Sequence, residues 1–347
     1  MRKTLLSMVI FIAVFFALYS CQNIPTAPSI IPKDPTGTTK PSVSGYSADG
    51  IYISVDKIPA LLPLAVPDYV KIRLSIPGVE NISASNLRVF EDNKEQGFVL
   101  YKESTARNKL DIAIILDVTG SMGPSINGAK NSIIAFANAL KESGLDVRIG
   151  IIPYDDYVNP PSDIDIDLPY LNLSSPDDAK EYVSELYAGD GGDWWENLYD
   201  AIMFAATALE WRPGSQRSMI LITDAPAHYK GDGTSYAHFT KAEMLPKLVG
   251  YFTIHGAFVP KNPYNNPDAD LTLPEDPREL CQKTGGIIKY TDYYGNVDLT
   301  DLGIVEYVES SYIIAFESDS SANNHTVEVF YESGATKKYA KIENVTY

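Results

Sequence analysis

Residues 117–123 read Asp117-Val118-Thr119-Gly120-Ser121-Met122-Gly123, directly after the apolar run Ile112-Ala113-Ile114-Ile115-Leu116. An unbroken apolar run of this kind is what a strand covered on both faces requires, the usual situation of a parallel strand with helices above and below it. The run ends in an acid, two hydroxyls and two glycines within seven residues. In an open parallel sheet, ligands bind beyond the carboxyl ends of the strands. Asp117, Thr119 and Ser121 are spaced by two, so a loop held extended at Gly120 turns all three oxygens inward. One carboxylate and two hydroxyls form a hard-oxygen set suited to Mg²⁺, Ca²⁺ or Mn²⁺ rather than to zinc or copper. Two hydroxyls neutralise little charge, so more carboxylate must come from elsewhere.

Two other stretches can supply it. Ile220-Leu221-Ile222-Thr223-Asp224 is a second apolar strand ending in an acid. Ala188-Gly189-Asp190-Gly191-Gly192-Asp193-Trp194-Trp195-Glu196 is a glycine-rich loop opening a helix, with Asp193 and Glu196 nearest the turn. Around these, strands and helices alternate. Residues 124–142 carry Ile126, Ala129, Ile133, Phe136, Ala137 and Leu140 at helical spacing. Val147–Pro153, Ser218–Thr223, Phe252–Val259 and Gly286–Tyr290 read as strands; Glu196–Trp211, Phe239–Val249 and 297–309 read as helices. Ser175-Pro176-Asp177-Asp178 is a helix start, with a hydroxyl cap, proline in the first turn and acids at the positive end. The whole is an α/β pattern with a doubly wound, mostly parallel sheet.

The flanks differ. Four short strands before residue 105 and three after 308 predict a β-sandwich of about seven strands, formed by residues 50–104 and 309–347. The α/β domain, 105–308, is then inserted into it. Residues 21–49 are rich in proline, serine, threonine and glycine and read as a flexible tether. The formal charge of −17 excludes nucleic acid as a partner, since no basic patch exists to meet phosphate.

Asp117-Val118-Thr119-Gly120-Ser121-Met122, with Thr223-Asp224, resembles the metal-ion-dependent adhesion site of von Willebrand factor A domains. Asp190-Gly191-Gly192-Asp193 with Glu196, and Asp224-Ala225-Pro226-Ala227-His228, is similar to a hemicentin-like branch of that family. The resemblance implies that Thr119 and Ser121 ligate a divalent cation, Mg²⁺ foremost, and that Asp117 and Asp224 bind it directly or through water. The family's middle loop usually offers threonine; this chain offers Asp193. Three carboxylates over-neutralise a divalent ion and weaken its pull on a partner's acid. The Met1-Arg2-Lys3 start, the apolar stretch Leu5–Leu18 and Leu18-Tyr19-Ser20-Cys21 resemble a bacterial lipoprotein signal. That implies removal of residues 1–20, lipid on Cys21, membrane attachment through that lipid and a cell-envelope location; the alternative is an uncleaved anchor.

Trp194, Trp195, Glu196 and His228 are candidate contacts for a partner, a protein or an envelope or matrix component. Trp195 or its neighbour must pack inward, since a helix start needs support. Asp155 and Asp156 read as solvated loop acids, with a place lining the metal face or a second cation site as the sharper alternatives. His238 and His255 lack metal-type spacing, and Cys281 reads as a small buried apolar residue. The expectation is a binding module rather than an enzyme. An envelope scaffold with a purely structural ion is the alternative, and a metal-dependent hydrolase a more distant one, since no hydrolase motif accompanies Ser121.

Overall fold

The computed structural model describes residues 31–59, 69–79, 81–156, 158–159, 165–166, 169–189, 191–260, 271–273, 275–296, 299, 304–320 and 322–347. The signal segment, Cys21, Asp190 and the first part of the tether lie outside these residues. Strands β1 (Tyr52–Val55), β2 (Val70–Ser75), β3 (Leu87–Glu91), β4 (Lys94–Glu95) and β5 (Phe98–Lys102) come first. A single turn, α1 (Glu103–Ala106), leads into β6 (Lys109–Asp117). There follow α2 (Ile126–Glu142), β7 (Asp146–Tyr154), a ribbon of β8 (Val158–Asn159) and β9 (Asp165–Ile166), β10 (Leu171–Ser174), α3 (Pro176–Glu185) and α4 (Leu198–Ala208). Next are β11 (Gln216–Thr223), α5 (Lys241–Leu248), β12 (Thr253–Phe258), α6 (Arg278–Thr284), β13 (Ile288–Tyr290) and α7 (Ile304–Glu309). The chain closes with β14 (Ser311–Phe316), β15 (His325–Ser333) and β16 (Thr336–Val345).

The central sheet runs β10-β7-β6-β11-β12-β13, parallel throughout except for β10. Alternate residues of β6 serve opposite faces. Ile112, Ile114 and Leu116 pack with Ile133, Phe136 and Leu140 of α2, while Ala113 and Ile115 pack with Ile202 and Met203 of α4. Burial on both faces is why the strand shows no polar alternation. Cys281 belongs to the second layer and is fully buried. The hydroxyl cap predicted at Ser175 is present, and the structure completes it as a capping box: the Ser175 hydroxyl accepts from the Asp178 amide at 3.2 Å, and the Asp178 carboxylate accepts from the Ser175 amide at 3.1 Å. The helix expected from Glu196 begins only at Leu198, because Glu196 pairs as a β-bridge with Ala227.

The flanking segments form two four-stranded sheets, β1-β2-β14-β5 and β16-β15-β3-β4, closed over Ile72, Leu74, Val89, Val327 and Val329. Eight strands stand where about seven were expected. The extra one is β4, two residues folded back on β3 across Asp92 and Asn93, which take φ of 47° and 70°. A strand that short leaves no apolar period to read. The tether expectation is corrected for its later part. Ile31 is buried against Ile313 and Ala315, Ser47 bridges Lys338 of β16, and Tyr46 sits edge-on to Phe330 at 5.2 Å. A proline-rich sequence suits a strap laid along a surface as well as a solvated linker, so composition alone did not separate the two.

Where the chain passes between sandwich and α/β layers, four buried charges meet. Arg107 binds Asp56 at 2.7 Å and Glu103 at 2.8 Å, and Arg73 binds Glu103 at 2.9 Å. Arg73 also donates to Thr253 at 3.0 Å, at the amino end of β12. Gln216, which opens β11, donates to the Arg107 carbonyl at 2.9 Å. Removing one partner leaves an uncompensated buried charge, so Arg107→Ala is expected to cost about 3–5 kcal/mol in chemical denaturation. Close by, His255 is fully buried, accepts from the Ile287 amide at 3.1 Å and packs edge-on to Tyr307. Burial, then the charge of Arg73, lowers its pKa to about 3. The unfolded chain therefore takes up this proton first, and stability is lost as pH falls from about 6.5 towards 3. His255→Gln should reduce the loss between pH 7 and pH 5 by about 2 kcal/mol, read from denaturation midpoints at the two pH values.

Candidate metal centre

Strand register places the site. On β6, Leu116 stands opposite Ile222 of β11, and Asp117 opposite Tyr154 of β7. The segments that leave these three strands therefore start from one edge. Asp117 is fully buried. Its Oδ1 accepts from the Thr119 amide at 2.9 Å and the Thr119 hydroxyl at 2.7 Å, and its Oδ2 accepts from the Thr223 hydroxyl at 2.7 Å. The Ser121 hydroxyl donates to Asp224 Oδ1 at 2.9 Å and lies 3.2 Å from Thr119 Oγ1. Thr119 and Ser121 thus direct their protons onto carboxylates and keep oxygen lone pairs for another ligand. Burial, then the Asp224 carboxylate, raises the Asp117 pKa well above the carboxylate range. A cation at this edge would relieve that repulsion. A set of four hard oxygen-bearing side chains fits a divalent ion of the Mg²⁺ class.

The middle loop arrives differently from expectation. Gly191, at φ 102°, lies where an added Cβ would stand 3.5 Å from Thr119 Cβ and 3.9 Å from Asp156 Oδ2. That backbone, which side chains rarely adopt, keeps the loop close to both neighbours. Asp193, expected among the ligands with Asp117, Thr119, Ser121 and Asp224, is engaged with its own loop and with His228. Its Oδ1 accepts from the Trp195 amide at 2.8 Å and lies 3.3 Å from His228 Nε2. The middle-loop acid whose charge environment includes Asp117 is Glu196. Burial, then Asp117, then the neighbouring Asp156, raises its pKa far above normal. Its backbone is fixed by the bridge to Ala227: the Glu196 amide donates to the Pro226 carbonyl at 3.2 Å, and the His228 amide donates to the Glu196 carbonyl at 2.9 Å.

Three expectations change. Asp156 is fully buried and is not a solvated loop acid, because β7 adjoins β6 and its exit falls inside the site. Glu196 and His228 are buried and unavailable as surface contacts for a partner, since the β-bridge draws both inward. Of the four residues expected at a partner contact, Trp194 is 76% exposed. Trp195 is half-buried, edge-on to the His228 ring at 5.5 Å. His238 is tied to the buried Asp200 at 2.7 Å. The adjacency of Asp155-Asp156 to a strand exit was visible in the sequence; that β7 is the immediate neighbour of β6 was not.

Residues 111–244 match the von Willebrand factor type A domain family, and the chain carries such a domain, with its mostly parallel central sheet and additional antiparallel sheets. Over 148 residues the chain is 34% identical to the alpha-protein kinase vwkA of Dictyostelium discoideum, covering 42% of this chain and 22% of that one. It therefore spans about a fifth of that protein's length. Among solved structures, a von Willebrand factor type A protein from Catenulispora acidiphila is similar at 12% identity and a TM-score of 0.40, over 88% of this chain and 74% of the other. The pilus adhesin SpaC of Lactobacillus rhamnosus GG, in its open conformation, is similar at 10% identity and a TM-score of 0.36, over 94% and 50%.

Thr223 ties the two acid-bearing strand ends together, donating to Asp117 and accepting from the Ala225 amide at 3.0 Å. Thr223→Val keeps the shape and strips both bonds, so a loss of about 1–3 kcal/mol is expected in chemical denaturation.

Proposed function

We propose that this edge holds one divalent cation, Mg²⁺ foremost, and presents it to a protein partner. Thr119 and Ser121 would ligate the ion directly, and Asp117 and Asp224 directly or through water. The carrying observation is the direction of the hydroxyl protons, which run to Asp117 and Asp224 and leave the lone pairs of Thr119 and Ser121 available. When bound, the ion supplies an electropositive point at the rim. Gly120 and Ser121 are exposed there, and Trp194 is exposed on the adjoining loop. An exposed tryptophan beside a polar site is the composition of an interface anchor. This reading makes the chain a binding module rather than an enzyme.

The organisation supports presentation. The buried ion network lies at the amino end of the nine-residue β6 and the candidate site at its carboxyl end. At about 3.3 Å per step the strand's eight steps separate the two by roughly 26 Å. In this reading the sandwich of 50–104 and 309–347 carries the domain of 105–308 with its rim facing away. A lipid on Cys21, after removal of residues 1–20, would hold the whole at the cell envelope. Its support is the Arg2-Lys3 start, the apolar stretch and the Ser20-Cys21 pair. Among the described residues no helix is long and apolar enough to cross a membrane.

A second reading, an envelope scaffold with a structural ion, draws on Glu196. This buried carboxyl lies near Asp117, and on ionising beside a bound ion it would add a third acid to the set and lower the ion's pull on a partner's acid. Pull-downs from envelope extract separate the two. Under the first reading, partner recovery depends on Mg²⁺ and drops at least tenfold in Ser121→Ala. Under the second, EDTA lowers the melting temperature but leaves recovery unchanged. A chain that takes up no Mg²⁺, Ca²⁺ or Mn²⁺ in calorimetry would contradict both.

A further inference from the structure

Beside the hydroxyl-lined edge lies a second group of ligating atoms with different chemistry. One atom each from Asp156, Asp193 and His228 falls within 4.8 Å of the others. Asp156 and His228 are fully buried, and the Asp193 side chain is 36% exposed. Asp156 Oδ2 accepts from the amides of Gly192 and Asp193. His228 Nε2, in a fully buried ring, makes no hydrogen bond, although Asp193 Oδ1 lies 3.3 Å away. Glu196, also buried, shares a hydrogen bond with Asp156. A fully buried imidazole nitrogen left unpaired beside two carboxylates is costly unless something binds it.

The far side of His228 is built as a metal-binding imidazole needs. Its Nδ1 lies 2.5 Å from Asp232 Oδ2. Asp232 is itself held by the Tyr229 amide at 3.2 Å, the Thr234 amide at 2.9 Å and the Thr234 hydroxyl at 2.7 Å. A carboxylate at Nδ1 places the ring proton there and leaves the Nε2 lone pair facing Asp156 and Asp193. The rings of Trp195 and Tyr236 pack on His228 at 5.5 and 5.0 Å and fix its plane. A Cβ at Gly192 would stand 2.8 Å from Asp156 Oδ2, so the loop backbone approaches this acid as only glycine allows.

We propose that Asp156, Asp193 and His228 form a second cation site for a divalent transition ion of the zinc class, with Glu196 between it and the hydroxyl-lined edge. Imidazole with two carboxylates suits Zn²⁺, Mn²⁺ or Co²⁺; the hydroxyl-lined set suits Mg²⁺. The two sites therefore select different ions by donor chemistry. This inference does not depend on the first site holding its ion.

The test is calorimetric titration of Zn²⁺ into the full chain in excess Mg²⁺, with Co²⁺ visible absorption as a second readout. One Zn²⁺ per chain is expected. His228→Gln and Asp193→Asn should each weaken it at least tenfold, and Asp232→Asn by roughly 10–100-fold. Ser121→Ala should leave Zn²⁺ uptake unchanged while reducing that of Mg²⁺. The Co²⁺ band should shift in His228→Gln. Asp193 is partly exposed, so its variant carries the test if His228→Gln does not fold. Failure of the wild type to take up Zn²⁺ would overturn the proposal. Equal uptake by wild type, His228→Gln and Asp193→Asn would overturn it too, as would loss of Zn²⁺ in Ser121→Ala, which merges the sites into one.

Discussion

Strand β6 is hydrogen-bonded on both sides, to β7 and to β11, with all three strands running the same way. That pairing forces three separate loops to begin within one strand spacing of each other, about 4.8 Å apart per step. Asp117, Asp156 and Asp224 come from positions 39 and 68 residues apart in sequence, yet the sheet brings them to a single edge. Carboxylates so placed repel one another, and burial sharpens the repulsion. The fold answers with hydroxyls: Thr119, Thr223 and Ser121 each donate to an acid. The fourth acid, Glu196, comes in on the β-bridge to Ala227. The edge is thus an accumulation of negative charge that backbone pairing imposes and hydroxyls only partly relieve.

Much of this was legible in the sequence, and for identifiable reasons. A run buried on both faces has one reading, and so does a hydroxyl cap followed by proline and acids. The segments 109–117, 146–154, 216–223 and 253–258 are strands close to where their apolar runs predicted. The Asp117, Thr119, Ser121 and Asp224 constellation follows from two strand exits and needs only that the strands be neighbours. The middle loop was not legible. Whether Asp193 or Glu196 turns towards Thr119 depends on the bridge between Glu196 and Ala227, a long-range pairing with no local signature. Asp156 was read as a solvated loop acid and His228 as a partner contact for the same reason, since their burial comes from neighbours distant in sequence.

The sandwich and the α/β layers are joined by a different kind of contact. Arg73, Glu103, Arg107 and Asp56 form a buried, mutually neutralised quartet at the crossing, and Thr253 and Gln216 extend it into the starts of β12 and β11. Such groups stabilise little against an apolar substitute, but losing one partner leaves a buried charge uncompensated. They tie the starts of β11 and β12 to the sandwich through Gln216 and Thr253. The candidate cation edge therefore has a defined direction relative to the proline-rich strap along β16.

That arrangement governs how the molecule would bear tension. A pull between the strap at residues 31–49 and anything gripping the Ser121 rim runs lengthwise through β6. The hydrogen bonds from β6 to β7 and β11 lie across that line, so they resist together in shear instead of opening one at a time like a zipper. The strap shares that load through many small contacts, Asp34 with Lys94, Thr39 with Arg88, Lys40 with Glu328, Ser47 with Lys337 and Tyr339 and Ile31 against Ile313, so a pull on it is spread over several sandwich strands while the rim keeps its shape.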